Sequence, residues 1–260
     1  MNFSPSHRVE RSPPFPETAD IETASEDYAR RFAGPTGAWM LEVQERLTRR
    51  LLRQPPPATI LDVGGGHGQL AVPLARSGYS VTVFGSADSC RRRLESLLSE
   101  GHAQFVVGHV LDLPFENASF DVVLAFRMLT HCGAWEQLVA ELCRVARRAV
   151  IVDYPTSQSL NALAPSFFNT KKRIELNTRT WRLFRHAEVR AAFERAGWRR
   201  SRMAAQFFLP MVLHRVLRRR GLSAAMETLC RSVGLTWLAG SPVIARFEPE
   251  GALRLESSRK

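Results

Sequence analysis

The chain has 260 residues, is 45% hydrophobic and carries a formal net charge of +11, so it is long enough for one α/β domain with additions around a sizeable core. Of its 36 basic residues only Lys171, Lys172 and Lys260 are lysines, and 36 minus 3 leaves 33 arginines; such a surface attracts nucleic acid, anionic lipid or acidic substrates, or reflects genomic base composition. Cys90, Cys132, Cys143 and Cys230 form no Cys-x-x-Cys pair and no zinc spacing, which argues against a disulfide framework and a metal site and for a reducing cytoplasmic setting.

Residues 1–20 mix proline, serine and charge without periodicity, and a disordered lead-in is expected there. They lack the apolar core of a signal peptide, and no later stretch reaches the ~18 apolar residues of a membrane span. Residues 21–54 read as helical. Tyr28 and Phe32 precede a Gly34-Pro35 break, and Trp39, Met40, Val43, Leu47 and Leu51 then fall at helical spacing from about Gly37 to Leu52, ended by Pro55-Pro56-Pro57.

The remaining residues, 55–260, form the main domain. Thr59–Val63 is a short branched run suited to a buried strand. It is broken by Gly64, Gly65, Gly66 and Gly68 and followed by Leu70, Ala71, Val72, Leu74 and Ala75, an apolar set that fits a helix packed on the strand. Glycines in a strand-to-helix turn let a ligand approach the main chain beside a partly positive helix N-terminus. The pattern is Asp62-x-Gly-x-Gly-x-Gly. Counting from Gly64, Gln69 stands where a dinucleotide site needs its third glycine, so NAD is disfavoured.

This stretch resembles motif I of the class I S-adenosylmethionine-dependent methyltransferases. A second stretch, Leu113-Pro114-Phe115 followed by Ser119-Phe120-Asp121-Val122-Val123, is similar to the methyltransferase type 11 or ubiquinone/menaquinone-type branch. The resemblance implies a Rossmann-like, doubly wound α/β sheet of seven strands, six parallel and the last antiparallel, with an N-terminal helical lid. It also implies S-adenosylmethionine as cofactor and a small-molecule acceptor, methylated on oxygen, carbon or nitrogen.

In chain order, Tyr79–Phe84 is the second strand, Ala103–Val107 the third, Asp121–Phe126 the fourth and Ala149–Tyr154 the fifth. The stretch from Leu160 to Arg185 is irregular and basic. A helix over Ala187–Ala196 precedes a sixth strand near Arg199–Leu209. Ser241–Phe247 suits the seventh, after an insertion at about 210–240 that is longer than a hairpin needs.

By the resemblance, the cofactor falls to Asp62, Gly64, Gly65, Gly66 and Gly68, to Gly85 and Ser86 after the second strand, to His109, Val110 and Asp112 after the third, and to Phe126. Tyr28 and Arg31 are expected as lid contacts, and Phe32, Arg127, Met128, Tyr154 and Met211 on the acceptor side. Where the family has an acid for the ribose hydroxyls this chain has Gly85, with Asp88 three residues on. Where an acid reads the adenine it has His109. Gly85→Asp is accordingly expected to tighten cofactor binding. His131 is the candidate base, because imidazole titrates near neutrality; the competing reading makes it a helix cap or a core residue, as Tyr28 and Phe32 can equally seal a helix on the core.

Asp153-Tyr154-Pro155 is only superficially similar to the Asn/Asp-Pro-Pro-Tyr motif of nucleobase amino-methyltransferases, since it ends the fifth strand rather than the fourth. Nucleic acid is further disfavoured because no basic run is interleaved with aromatics, although an RNA methyltransferase remains the rival that charge supports. A second rival is a degenerate fold that binds the cofactor without transferring its methyl. The apolar cluster from Phe207 to Leu217, followed by Arg218-Arg219-Arg220, reads as core packing, as a lid over a hydrophobic acceptor, or as a peripheral contact with anionic membrane.

Overall fold

A computed structural model describes residues 17–160 and 182–251. The lead-in expected over 1–20 therefore lies outside the described residues as far as residue 16, and so does most of the basic stretch between Leu160 and Arg185. Residues 17–20 instead enter the fold: helix α1, Ala19–Thr23, begins there, and Asp20 is fully buried.

Seven strands form one sheet in the order β3-β2-β1-β4-β5-β7-β6, built from β1 (Thr59–Val63), β2 (Ser80–Gly85), β3 (Ala103–Val107), β4 (Phe120–Ala125), β5 (Ala146–Tyr154), β6 (Trp198–Ala205) and β7 (Val243–Pro249). Strand β7 runs antiparallel to both of its neighbours, and the other six run parallel to one another, as the resemblance implies. The chain winds outward from β1 in one direction and from β4 in the other. A crevice therefore opens at the carboxyl ends of β1 and β4, where ligands bind in open α/β sheets.

Each central strand buries both faces, hence the unbroken Ile/Leu/Val runs. On one face Leu61, Val63, Val123, Val150 and Val152 pack with Leu138, Leu142 and Phe193; on the other Ile60, Leu124 and Ile151 pack with Met40, Val43, Leu47 and Leu74.

Helices α2 (Glu26–Arg30) and α3 (Gly34–Leu52) complete the N-terminal part. Helix α3 starts three residues before the expected Gly37. Pro35 lies in its first turn, where the missing N–H would have had no intrahelical partner, so the Gly-Pro pair begins the helix rather than breaking it. Its far end is tied to the sheet by Arg246 of β7, almost wholly buried, which donates to the carbonyls of Leu51 and Leu52 at 2.9 and 3.1 Å and pairs with Glu248 at 2.7 Å. A buried guanidinium is tolerated there because it satisfies helix C-terminal carbonyls and has a carboxylate partner.

Helices α4 (Ala71–Arg76), α5 (Glu95–Ser99) and α6 (Trp135–Val145) follow β1, β2 and β4 in turn, and α7 (His186–Arg195) precedes β6. Strand β6 ends at Ala205, short of the expected Leu209. The backbone N–H groups of Phe208 and Leu209 donate instead to the carboxylate of Glu227, at 2.9 and 2.8 Å. The insertion is three helices, α8 (Met211–Leu217), α9 (Arg220–Ser232) and α10 (Leu235–Ala239).

Candidate functional site

The turn after β1 takes the form its glycines allow. Gly64 and Gly68 are both left-handed, at φ +76°, and flank a single 3-10 turn over Gly65–His67. At Gly66 the constraint is space: a Cβ there would come 2.5 Å from the carbonyl oxygen of Cys90 and 2.9 Å from the Cβ of Ala24. Helix α1 and the residues after it thus lie directly on the glycine loop.

Only a small cavity, about 10 Å³ and no more than one water needs, remains beneath them. It is lined by Thr23, Asp62, Gly64, Gly65, His67, Gln69, Leu70, Phe126 and Arg127. That is smaller than the ~300–1,000 Å³ usual for ligand pockets, so a nucleoside-sized ligand needs the N-terminal helices to move. The N-terminal helices cover the cavity: Tyr28 and Phe32 meet the His67 ring edge-on at 6.1 and 5.9 Å.

Arg127, just past β4, organises the cavity floor. Its backbone is left-handed (φ 63°), and its N–H donates to the carboxylate of Asp153 on β5 at 2.5 Å. Its guanidinium donates to the side-chain oxygens of Gln69 and, at 3.1 Å, Gln44. It also lies over the Tyr28 ring at 5.2 Å and the Phe32 ring at 4.7 Å, within cation–π range. Arg31 stacks on Tyr28 and Arg215 on Phe32.

The ionisation of the floor follows from this burial. Burial pushes Asp62 up to about 7 and Asp153 up to about 6, with Arg127 opposing both shifts. Burial first, then Arg127 and Arg93, hold His67 down at about 3, so its imidazole is neutral at physiological pH. Both ring nitrogens of His67 and the amide nitrogen of Gln44 are buried without a hydrogen-bond partner. Unfilled polar groups beside a glycine cradle are a reason to expect a polar ligand there.

The absent acid at Gly85 has a counterpart from elsewhere in the chain. Asp20 directs its carboxylate at the end of β2, accepting from the Ser86 N–H and the Ser86 hydroxyl, both at 2.6 Å, and from the Cys90 thiol at 3.4 Å. A Cβ on Gly85 would lie 3.3 Å from Asp20 and 2.9 Å from Phe105.

Other expected site residues lie apart from the cavity. Val110 is buried in the core behind β3, and Asp112 is exposed, its N–H donating to the carbonyl of His109. Asp88 is in an exposed ion pair with Arg91. Met128 packs in the core against the loop, where a Cβ on Gly64 would strike its sulfur. His131 lies in the turn before α6, outside the cavity lining, its N–H donating to the Met128 carbonyl. Tyr154 points to the opposite face from Asp153, where its hydroxyl meets His186 Nδ1 at 3.0 Å. Met211 is half-buried in the cluster that holds Phe32 and Phe126.

Asp20, Gln44, His67, Gln69 and Asp153 are the site residues that the sequence reading passed over. Gln44 carried a signal, because a glutamine one position from Val43 on the apolar side of an amphipathic helix is out of pattern. Asp20 carried none, since its partner lies 66 residues away.

A family model described as a methyltransferase domain matches residues 61–152. The chain is 31% identical over 112 residues to an O-methyltransferase from Pyrenophora dematioidea, covering 40% of this chain and 42% of that protein. It is 33% identical over 112 residues to O-methyltransferase rstn1 from Aspergillus nomiae, covering 40% and 49%. It thus spans less than half the length of these curated relatives. Among solved structures it is similar to magnesium protoporphyrin IX methyltransferase from Synechocystis PCC 6803 with bound SAH, at TM-score 0.58 and 13% identity over 88% of this chain and 97% of that one. It is also similar to geranyl diphosphate C-methyltransferase from Streptomyces coelicolor A3(2), at TM-score 0.57 and 16% identity over 80% and 78%. At such identities the likeness is one of fold.

Proposed function

We propose that this chain, a member of the class I S-adenosylmethionine-dependent methyltransferases, transfers a methyl group from that cofactor to a small, hydrophobic acceptor. The observation that carries the reading is the glycine turn: two left-handed glycines and a third with no room for a Cβ, at the carboxyl end of β1, beside a cavity with unfilled polar groups. The residues present fit the cofactor. Gly64 to Gly68 offer main chain for close approach, Arg127 and His67 offer polar contacts, and Tyr28 and Arg31 close the lid.

The bound cofactor supplies a methyl group on a sulfonium. What the protein adds to such an in-line displacement is chiefly position and exclusion of water. The Asp153–Arg127–Gln69–Gln44 chain fixes the floor, and Tyr28 and Phe32 cover it. The candidate base from the sequence, His131, lies outside the cavity lining, so a base role requires the acceptor to extend to the turn before α6, which the pH profile of a His131→Ala variant tests.

An apolar acceptor is favoured because Tyr28, Phe32, Phe126 and Met211 share one hydrophobic cluster at the cavity. The O-methyltransferase relatives favour oxygen as the acceptor atom. Calorimetry with S-adenosylhomocysteine tests the cofactor, and release of S-adenosylhomocysteine from S-adenosylmethionine with phenolic and aliphatic hydroxyl acceptors tests the transfer. Binding without turnover on any acceptor would instead support the cofactor-binding reading without methyl transfer, which the unusual Gly85–Asp20 arrangement favours.

A further inference from the structure

The buried side chains of helices α9 and α10 are polar. On α9 the buried side chains are Ser223 and Glu227, and on α10 it is Thr236. Leu222, Leu229 and Val233 face solvent instead, Val233 just past the end of α9, together with Leu238 and Trp237, which is 85% exposed. Leu222, Ala225, Leu229 and Val233 are spaced three and four residues apart, so they make one stripe along the helix.

The inversion is held by a polar anchor. Buried Glu227 accepts from the Phe208 and Leu209 backbones and pairs with His214 at 3.0 Å. Turning the apolar stripe inward would break all three bonds. The exposed face is therefore a stable feature of the fold, and it exceeds the scattered single apolar residues of an ordinary surface.

We propose that this face docks on a lipid bilayer surface containing anionic lipid. Segment 210–240 carries Arg215, Arg218, Arg219, Arg220 and Arg231, and its one acid, Glu227, is buried and engaged. Arg218 and Arg219 are exposed beside the stripe. An aliphatic stripe with an exposed tryptophan and flanking arginines matches the interfacial zone, where an indole lies at the headgroup level and arginines meet phosphates. Arg220 is already paired with Glu42 of α3 at 2.8 Å, so a second copy docked face to face would set the exposed Arg218 and Arg219 against their equivalents. Aliphatic side chains give a nucleic acid nothing to stack on.

The test is sedimentation of the full chain with phosphatidylcholine vesicles and with phosphatidylcholine–phosphatidylglycerol vesicles, and it does not depend on methyl transfer. The wild type should pellet with the anionic vesicles and stay in solution with the neutral ones. A triple variant, Leu229→Ser, Val233→Ser and Trp237→Ser, should bind at least about tenfold more weakly. Arg218→Gln and Arg219→Gln should each cost about fivefold. All five positions are exposed, and unchanged melting temperatures and S-adenosylhomocysteine affinity establish that the variants are folded. The proposal is overturned if the wild type ignores anionic vesicles, if the folded triple variant binds as the wild type does, or if the triple variant merely converts a wild-type dimer to a monomer.

Discussion

Asp20 on the first helix and Ser86 at the end of β2 are joined by two hydrogen bonds of 2.6 Å, one to the backbone N–H and one to the hydroxyl, with both residues fully buried. This pair holds α1 on the glycine loop. It also places a carboxylate where the strand's own residue, Gly85, has no side chain, so the seating of α1 on the loop and the carboxylate at the β2 end come from a single residue.

Replacing Asp20 with Asn turns one acceptor oxygen into a donor and removes the carboxylate from both Ser86 bonds, the amide oxygen keeping the Ser86 N–H and the NH2 turning to the hydroxyl. Hydrogen bonds to a charged group contribute roughly 1.5–3 kcal/mol each, and Asp20→Asn is expected to destabilise the protein by about that amount and to free α1. Cys90 reports the opening. Burial and Asp20 together push its thiol up to about 12, so it should resist thiol reagents in the wild type and become reactive in the variant. Equal labelling rates would show that Asp20 does not hold the lid.

Gly85→Asp, which the sequence alone expects to tighten cofactor binding, should do the reverse. The new Cβ would lie 2.9 Å from Phe105 and 3.3 Å from the Asp20 carboxylate, combining overpacking with like charge. A loss of about 1–3 kcal/mol in stability is expected, together with weaker S-adenosylhomocysteine binding by calorimetry. Combining it with Asp20→Asn should recover part of the loss, because the second carboxylate is gone.

The sheet was legible because its strands are short branched runs closed by glycine or proline, and β1 and β3 match their expected bounds residue for residue. Strand β6 overran in the reading because Phe207, Phe208 and Leu209 are apolar, whereas Glu227, 18 residues on, draws the last two out of the sheet register. The glycine turn was legible for the same local reason as the strands. The Asp20, Gln44 and Asp153 contacts were not, because each bridges elements distant in sequence. Local patterning carries no information about which polar side chain meets which.

Gly66→Val should abolish cofactor binding. The backbone carbonyl of Cys90, 2.5 Å from the Cβ position, cannot rotate away as a side chain could, so the loop must part from β2 and α1. Calorimetry on a folded variant that still bound S-adenosylhomocysteine with wild-type affinity would remove the glycine turn from the site.

The pH dependence of stability should show two buried carboxyls, Asp62 and Asp153, working against one buried imidazole, His67. Asp62 ionises near 7 in the fold against an ordinary value of 3.8. The folded state therefore holds the extra proton between those values, and stability from this group falls as pH rises from about 4 to 7, by roughly 4 kcal/mol at most. His67 has its pKa lowered from 6.5 to about 3, so the unfolded state holds the extra proton and stability rises with pH across that window. Asp153, raised to about 6, acts in the same direction as Asp62, so His67 offsets only one of the two carboxyl slopes and a net fall remains between about pH 4 and 6. Denaturant midpoints should thus fall with pH from about 4 to 6 in the wild type, stay nearly level there in Asp62→Asn and fall more steeply in His67→Gln. Parallel profiles would mean that neither group is as buried as the structure has it.

Arg127 separates charge from geometry at the site. Its guanidinium lowers both Asp62 and Asp153 against burial, and its forked donors bind the oxygens of Gln69 and Gln44 while its face lies under Tyr28 and Phe32. Lysine keeps the charge but not the planar fork. Arg127→Lys should leave the pH profile of stability near that of the wild type while weakening S-adenosylhomocysteine binding, because the floor loses its bridge between α3 and the glycine loop. Arg127→Gly relieves the left-handed backbone, a gain of about 1 kcal/mol, yet removes charge and fork together. Asp62 and Asp153 should then titrate still higher, and the fall in stability toward neutral pH should shift upward with them. Binding should drop at least as far as in Arg127→Lys, since the Gln69 oxygen loses its donor and the Gln44 oxygen keeps only the Gln69 amide. If Arg127→Gly binds as the wild type does and keeps its pH profile, the residue is only a loop element that tolerates an unusual φ, and the cavity floor must be organised by Asp62 and the glycine turn alone.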